Sequence, residues 1–141
     1  AFTVKFAKSK DLAHWTTIPE AIFGKKRYTA CPTIRFAHGY YYLLYTEHRT
    51  PRWYFETYIA RSKDLVAWEL SGANPVLTPQ AIDDGINTSD VDLAEVDGKT
   101  WLYYAVGDQH TWMNIKRAFY NGSMARFLES WFVTPGVPDR N

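Results

Sequence analysis

Two carboxylates carry the first chemical hint in this sequence. Glu47 stands in the polar run Thr46-Glu47-His48-Arg49-Thr50-Pro51-Arg52-Trp53, and Asp90 in Asn87-Thr88-Ser89-Asp90. Cleaving a glycosidic bond takes two such groups facing each other, one to protonate the leaving oxygen and one to activate water or attack. Near them in sequence are side chains suited to holding a sugar. Trp53 and Trp112 offer flat apolar platforms, and the forked guanidinium of Arg49 or Arg52 matches hydroxyls or a carboxylate. His48, Asp92, Asp108, Gln109 and His110 complete the expected substrate-binding set.

Each of these groups also has a structural reading. Asp90 and Asp92 could bond loop amides as Asx turns. Glu47, next to His48 and Arg49, could be an internal salt bridge that holds its loop. His48 and His110 lack the His-x-His or Cys-x-x-Cys spacing of a metal centre, so no metal is expected, and no cofactor either. Cys31 with His48 raises a thiol nucleophile; a buried small hydrophobe is the expected role.

The elements that would position these groups announce themselves by repetition. Ser9-Lys10-Asp11-Leu12-Ala13-His14-Trp15 returns as Ser62-Lys63-Asp64-Leu65-Val66-Ala67-Trp68, 53 positions on. Gly39 and Tyr45, in Ala37 to Tyr45, match Gly98 and Tyr104, in Val96 to Tyr104, 59 positions on. Repeats at such periods mean stacked or radial units. Phe2 to Ala7 alternates like a half-buried strand before the first polar corner, and Glu56 to Ala60 does so before the second. Ahead of the second corner lies a hairpin of Pro32 to Phe36 and Tyr40 to Tyr45 around Gly39. Val91 to Val96, the Asp97-Gly98 turn and Thr100 to Ala105 repeat that hairpin, Asp-Gly being a strong turn signal.

Ile115 to Tyr120 supplies a further strand, and Ser123 to Phe132 falls where the Ser-Lys-Asp-Leu copies fall, with a short helix before Trp131 as the other option. The expectation is an all-β chain of about two and a half four-stranded antiparallel blades of a β-propeller. A half blade occupies 1–29, blades occupy 30–86 and 87–132, and a flexible tail follows at 133–141. On this plan the runs around Glu47, Asp90 and Asp108 gather at one end. Trp15, Trp68 and Trp131 become wedges between sheets, and Asp11 and Asp64 become turn residues.

Composition narrows the partners. Sixteen basic and 15 acidic residues leave a net charge of +1 and no basic stripe, so neither nucleic acid nor a membrane surface is expected as a partner. One cysteine excludes an internal disulfide and leaves the cellular compartment open.

The Ser-Lys-Asp-Leu-x-x-Trp copies, the start Cys31-Pro32-Thr33-Ile34-Arg35 with Gly39 to Tyr45, and Asn87 to Leu93 ahead of Gly98 resemble the five-bladed propeller glycoside hydrolases of family 43. The resemblance spans residues 2 to 132. It implies a five-bladed ring whose funnel holds an Asp base, a second Asp that tunes the acid, and a Glu acid. Where the family carries Glu, then Gly or Ala, then Pro, this chain has Ala30-Cys31-Pro32, so Ala30 takes the place of the acid and Glu47 is the expected substitute. The blades that would carry the base and the tuning Asp have no counterpart in these residues.

The expected function is a glycoside hydrolase. The alternative is a non-catalytic carbohydrate-binding or assembly module, or an inactive propeller fragment. Open sheet ends need cover, and two copies of two and a half blades sum to five. The expected partner, besides a carbohydrate, is therefore a second copy in a homodimer, or else the missing blades of a longer chain.

Overall fold

Ser9 and Ser62 begin two turns with the same hydrogen bonds in the computed structural model, which describes residues 2–139. Between β1 (Val4–Lys8) and β2 (Thr16–Phe23), Ser9 Oγ accepts from the amides of Asp11 at 3.2 Å and Leu12 at 2.8 Å. Asp11 Oδ1 accepts from those of Ala13 at 2.9 Å and His14 at 2.8 Å. Ser62 and Asp64 repeat all four bonds, at 3.2, 2.9, 2.9 and 2.8 Å, in the turn after β5 (Tyr54–Ser62) and before β6 (Trp68–Leu70). Leu12 and Leu65 take the left-handed position, and Trp15 and Trp68 each donate a ring N–H to that leucine's carbonyl. The pair β1–β2 thus corresponds to β5–β6, the outer half of a four-stranded unit.

The middle unit is complete. Strands β3 (Ala30–Ala37), β4 (Tyr40–Arg49), β5 and β6 form an antiparallel meander. The next unit is β7 (Asn87–Val96), β8 (Lys99–Gly107) and β9 (Met113–Tyr120), also antiparallel. Strands β5 and β7 touch in parallel at Phe55–Asn87 and Glu56–Thr88, a short seam between the two units.

One open alternative is settled here and one expectation changes. In the third unit the fourth position is a helix, α1 (Met124–Ser130), capped by Ser123 Oγ, with Phe127 and Leu128 buried. Ser123 accepts an amide bond at the helix start, and the adjacent pair Phe127 and Leu128 suits a helix that buries one side. Residues 133–139 are held rather than loose. Val137–Pro138 forms β10 against β6, the Asp139 amide donates to Trp68 O at 3.0 Å, and Arg27 pairs with the Asp139 carboxylate at 2.5 Å. The outer edge of β6 needs partners for its backbone groups, and the C-terminal stretch supplies them. Residues 140 and 141 of the expected tail lie outside the described residues.

Apolar alternation makes the sheets double-faced. From β4, Leu43 and Tyr45 join Val4, Phe23, Tyr58 and Trp68 in a core between the first and middle units. Tyr42 and Leu44 turn the other way and meet Ile59, Val91, Leu93 and Leu102 in a core between the middle and third units. Trp68, 5% exposed, is the expected wedge, with its ring 5.6 Å from Phe6 and 5.1 Å from Phe23. Trp131 is half-buried beside Phe127. Trp15 is no wedge, since it is 59% exposed. The reason is local: Trp68 packs on the strands of the preceding unit, and nothing in the described residues stands in that relation to Trp15.

Candidate functional site

Cys31 and Asp90 sit on matching kinks. The β3–β4 register breaks between Ala30 and Thr33, and the β7–β8 register breaks between Ser89 and Asp92. Inside each break one non-glycine residue takes the left-handed conformation, Cys31 at φ 49 and Asp90 at φ 54. A bulge re-aims a side chain and bends its strand, and residues held this way gather at functional sites. Cys31 is exposed, contrary to the buried role expected for it, because the bulge takes it out of the pleat. Partial burial of its sulfur, and then the neighbouring Asp90 carboxylate, push its thiol up to about 11. The Asp90 amide donates to Thr46 Oγ1 at 3.5 Å, and Ser89 Oγ donates to the Asp90 carboxylate. Asp90 is exposed and shares an open cleft of ≈ 480 Å³ with Cys31, Pro32, Arg35 and Asp92.

Asp92 is tied down within that cleft. Arg35 reaches its carboxylate at 2.5 Å, and its own Oδ1 accepts the Leu93 amide at 2.8 Å. Tyr28 lies near Cys31 and Asp90. Burial, then Cys31 and Asp90, raise its hydroxyl above the ordinary tyrosine range. His48 belongs to the same neighbourhood through aromatic contact, stacked on Phe55 at 4.3 Å and tilted against Trp53 at 5.3 Å, with Tyr28 edge-on at 6.1 Å. Trp53 is 61% exposed at the tip of the β4–β5 hairpin, a free apolar platform.

Glu47 does not face Asp90. The run Thr46 to Arg49 reads as loop from its polarity, yet β4 continues through Arg49, so successive side chains alternate. Thr46 points to Asp90 and Glu47 to the opposite side of the sheet. There it is 5% exposed, takes Arg49 Nε at 2.9 Å and the Tyr45 hydroxyl at 3.4 Å, and lies 3.8 Å from Arg27. The salt-bridge reading describes this geometry, with Arg49 spent on Glu47 and on the face of the Tyr58 ring at 4.9 Å.

Directly across the ladder from Glu47 is Glu56, 1% exposed, which sequence reasoning did not single out. Arg52 at 3.1 Å, Thr78 Oγ1 at 2.5 Å and the Tyr58 hydroxyl at 3.2 Å hold it. Desolvation, opposed by Arg49 and reinforced by the two carboxylates, pushes Tyr58 up to about 12. Arg52 is thereby a partner of Glu56, its charged head lying over the Tyr54 ring at 5.4 Å. One signal pointed to Glu56: its strand, Glu56 to Ala60, was legible, and a charged residue at its start on the Tyr58 side had to enter the core.

The third expected group lies on the β8–β9 connection. Asp108 accepts from the amides of His110 at 2.9 Å, Thr111 at 2.7 Å and Trp112 at 3.0 Å, and from the Thr111 hydroxyl. The Thr111 hydroxyl first, then those amides, hold the Asp108 carboxyl well below the usual range. Asp108 therefore builds its loop, whereas Gln109, His110 and Trp112 line a separate cleft with Asn87. Among the described residues no group of three or more His, Cys, Asp and Glu side chains is disposed to hold a metal ion.

No protein-family model matches the chain, and no curated protein matches it. Solved structures do. One described as "Glycoside hydrolase" and one described as a complex of BT0996 and RGII are each 22% identical to this chain, with a TM-score of 0.65, over 84% of this chain and 35% of their own. A third, "Crystal structure of the GH43 BlXynB protein from Bacillus licheniformis", is 14% identical with a TM-score of 0.41, over 95% of this chain and 36% of its own. The first two establish the architecture: the chain is all-β and has the fold of part of a glycoside-hydrolase propeller. It spans about a third of the length of those structures.

Proposed function

We propose that the chain is the carbohydrate-active section of a propeller glycoside hydrolase, with Asp90 as the carboxylate it contributes to the funnel. The observation that carries this reading is the paired bulge, which presents Asp90 and Cys31 side by side in a fold shared with a glycoside hydrolase. Asp90 takes the role of water activation or attack, and Trp53 with His48 supplies the platform for a sugar ring. Glu47 is a structural ion pair in this reading. The opposing carboxyl comes from strands that complete the ring.

Topology favours missing blades over a homodimer as the source of those strands. In the middle unit the inner edge of β5 carries β4; the corresponding edge of β1 is unpaired among the described residues. A second copy would bring another outer pair and no inner one, so two copies leave two half blades rather than one whole blade.

The test is turnover of aryl arabinosides, xylosides and galactosides by the protein with its ring completed and by the same assembly carrying Asp90→Asn. The reading expects hydrolysis that falls by ~100-fold or more in the variant, the scale of a lost acid–base or nucleophilic group. Equal rates in both proteins would remove Asp90 from the chemistry. No turnover of any substrate would count against a hydrolase.

A further inference from the structure

The cleft beside the β8–β9 connection has features that the funnel chemistry does not use. It encloses ≈ 330 Å³ and is lined by Asn87, Gly107, Gln109, His110, Thr111 and Trp112, along with Met113. No lining side chain is a carboxylate, ammonium or guanidinium, since the one acid of the loop, Asp108, is turned into the loop's own amides. Gly107 lets the wall close, because a Cβ there would lie 2.4 Å from the Trp112 carbonyl oxygen. The loop is thus held without help from Gln109, His110 or the Trp112 ring.

Asn87 is the unusual member. It is 1% exposed, and its Nδ2 donates to the Ala105 carbonyl at 3.3 Å, which fixes the orientation of the amide. Its Oδ1 then has no hydrogen-bond partner. A buried amide oxygen without a donor is costly, and a side chain kept in that state next to a cleft is poised for a donor brought by a ligand. Trp112, 37% exposed, adds an apolar ring to the same cleft. A group that stacks on an indole, donates a hydroxyl and carries no charge is a neutral sugar ring.

We propose that this cleft is a subsite for an uncharged pyranose or furanose ring, stacked on Trp112 and donating one hydroxyl to Asn87 Oδ1. The proposal rests on the carbohydrate-active reading and adds a second sugar contact apart from Asp90. Asn87 is a binding residue here, with no part in bond cleavage. Specificity follows from the unpaired acceptor: an analogue lacking the hydroxyl leaves Oδ1 unsatisfied, and a uronate brings a charge that no lining ammonium or guanidinium balances.

The experiment follows the Trp112 indole N–H resonance while methyl xyloside, methyl arabinoside, methyl galactoside and galacturonate are titrated into the protein. The expected result is a saturable shift with at least one neutral glycoside, at a Kd in the millimolar range typical of a single weak contact set, roughly −4 kcal/mol at 1 mM. Galacturonate should bind more weakly. Asn87→Leu should raise the Kd by about tenfold. Because that buried site tolerates change poorly, Trp112→Ala at the exposed wall is the second variant, read by calorimetry, and should abolish binding.

Absence of a saturable shift up to about 100 mM, a range chosen to cover millimolar affinities, would overturn the subsite. So would an unchanged Kd in folded Asn87→Leu or in Trp112→Ala. Binding without turnover in the completed ring would sink the hydrolase reading and leave the subsite standing; turnover without binding here would do the reverse.

Discussion

Glu47 and Glu56 face each other across the β4–β5 ladder, both buried, on the side of the sheet turned away from Asp90. Two carboxylates at directly opposed positions repel unless cations intervene, and here Arg49 and Arg27 serve one while Arg52 serves the other. The cluster lies where the first and middle units meet, so its work is to fasten one to the other. Glu47→Gln keeps the shape and weakens the charge-assisted bonds, which should cost about 1–3 kcal/mol. Urea unfolding measures the loss. Turnover per folded molecule should stay at the level of the unaltered protein, and a rate lower by orders of magnitude would return Glu47 to the chemistry.

Cys31 reports on Asp90. With its thiol pushed up to about 11, first by burial and then by the Asp90 carboxylate, Cys31 at pH 8 is almost wholly protonated and should alkylate slowly despite its exposure. The iodoacetamide rate should climb about tenfold per pH unit from pH 7 to 10, as the thiolate fraction does. Asp90→Asn removes the second cause, so its rate at pH 8 should exceed that of the unaltered protein. Equal rates would mean that the two side chains do not adjoin.

The Ser-x-Asp turns carry a pH dependence of definite sign. Asp64 is held below its ordinary value, first by the Ala67 amide, then by that of Val66. A carboxylate depressed in the folded state contributes stability that is fully present above its unfolded pKa, near 4, and is lost as pH falls through the lower folded value. Asp64→Asn should therefore flatten the stability profile below about pH 4 and leave its shape unchanged above pH 6. Acid titration of the urea midpoint shows this directly, and a slope unchanged by the substitution would contradict it.

What could be read in advance was what is local. Ser and Asp close their turns with neighbouring amides, so both copies were legible, as were the hairpins at Gly39 and Gly98. The side to which Glu47 points was not legible: Thr46-Glu47-His48-Arg49 has no apolar alternation, and only the pairing with Tyr54 to Thr57 shows that β4 runs to Arg49. The bulges at Cys31 and Asp90 were hidden because neither is glycine, although the same 59 positions that separate Gly39 from Gly98 separate them too. Asn87 lay ahead of Val91, where the expected strand began. Its buried, half-bonded amide follows from the pairing of β7 with β8, which no short window contains.

Trp15 and Trp68 turn the same local device toward different surroundings, and that difference is measurable. Trp68 is 5% exposed against Phe6 and Phe23, so Trp68→Ala should cost ~3–5 kcal/mol, as large aromatic truncations in a core do. Trp15 is 59% exposed with its indole bonded only to Leu12 O, so Trp15→Ala should change stability by no more than about 0.5 kcal/mol. The inner edge of β1 and the free Trp15 ring lie on one unit, the arrangement that β4 and the Phe6–Phe23 pair complete for the next. Supplying the strands of a preceding unit should therefore convert Trp15 into a second Trp68. In a protein whose ring is complete, Trp15→Ala should become as costly as Trp68→Ala, and its indole fluorescence should shift to the blue. A Trp15 that stays solvent-exposed in the assembled ring would show that the repeat ends at this turn.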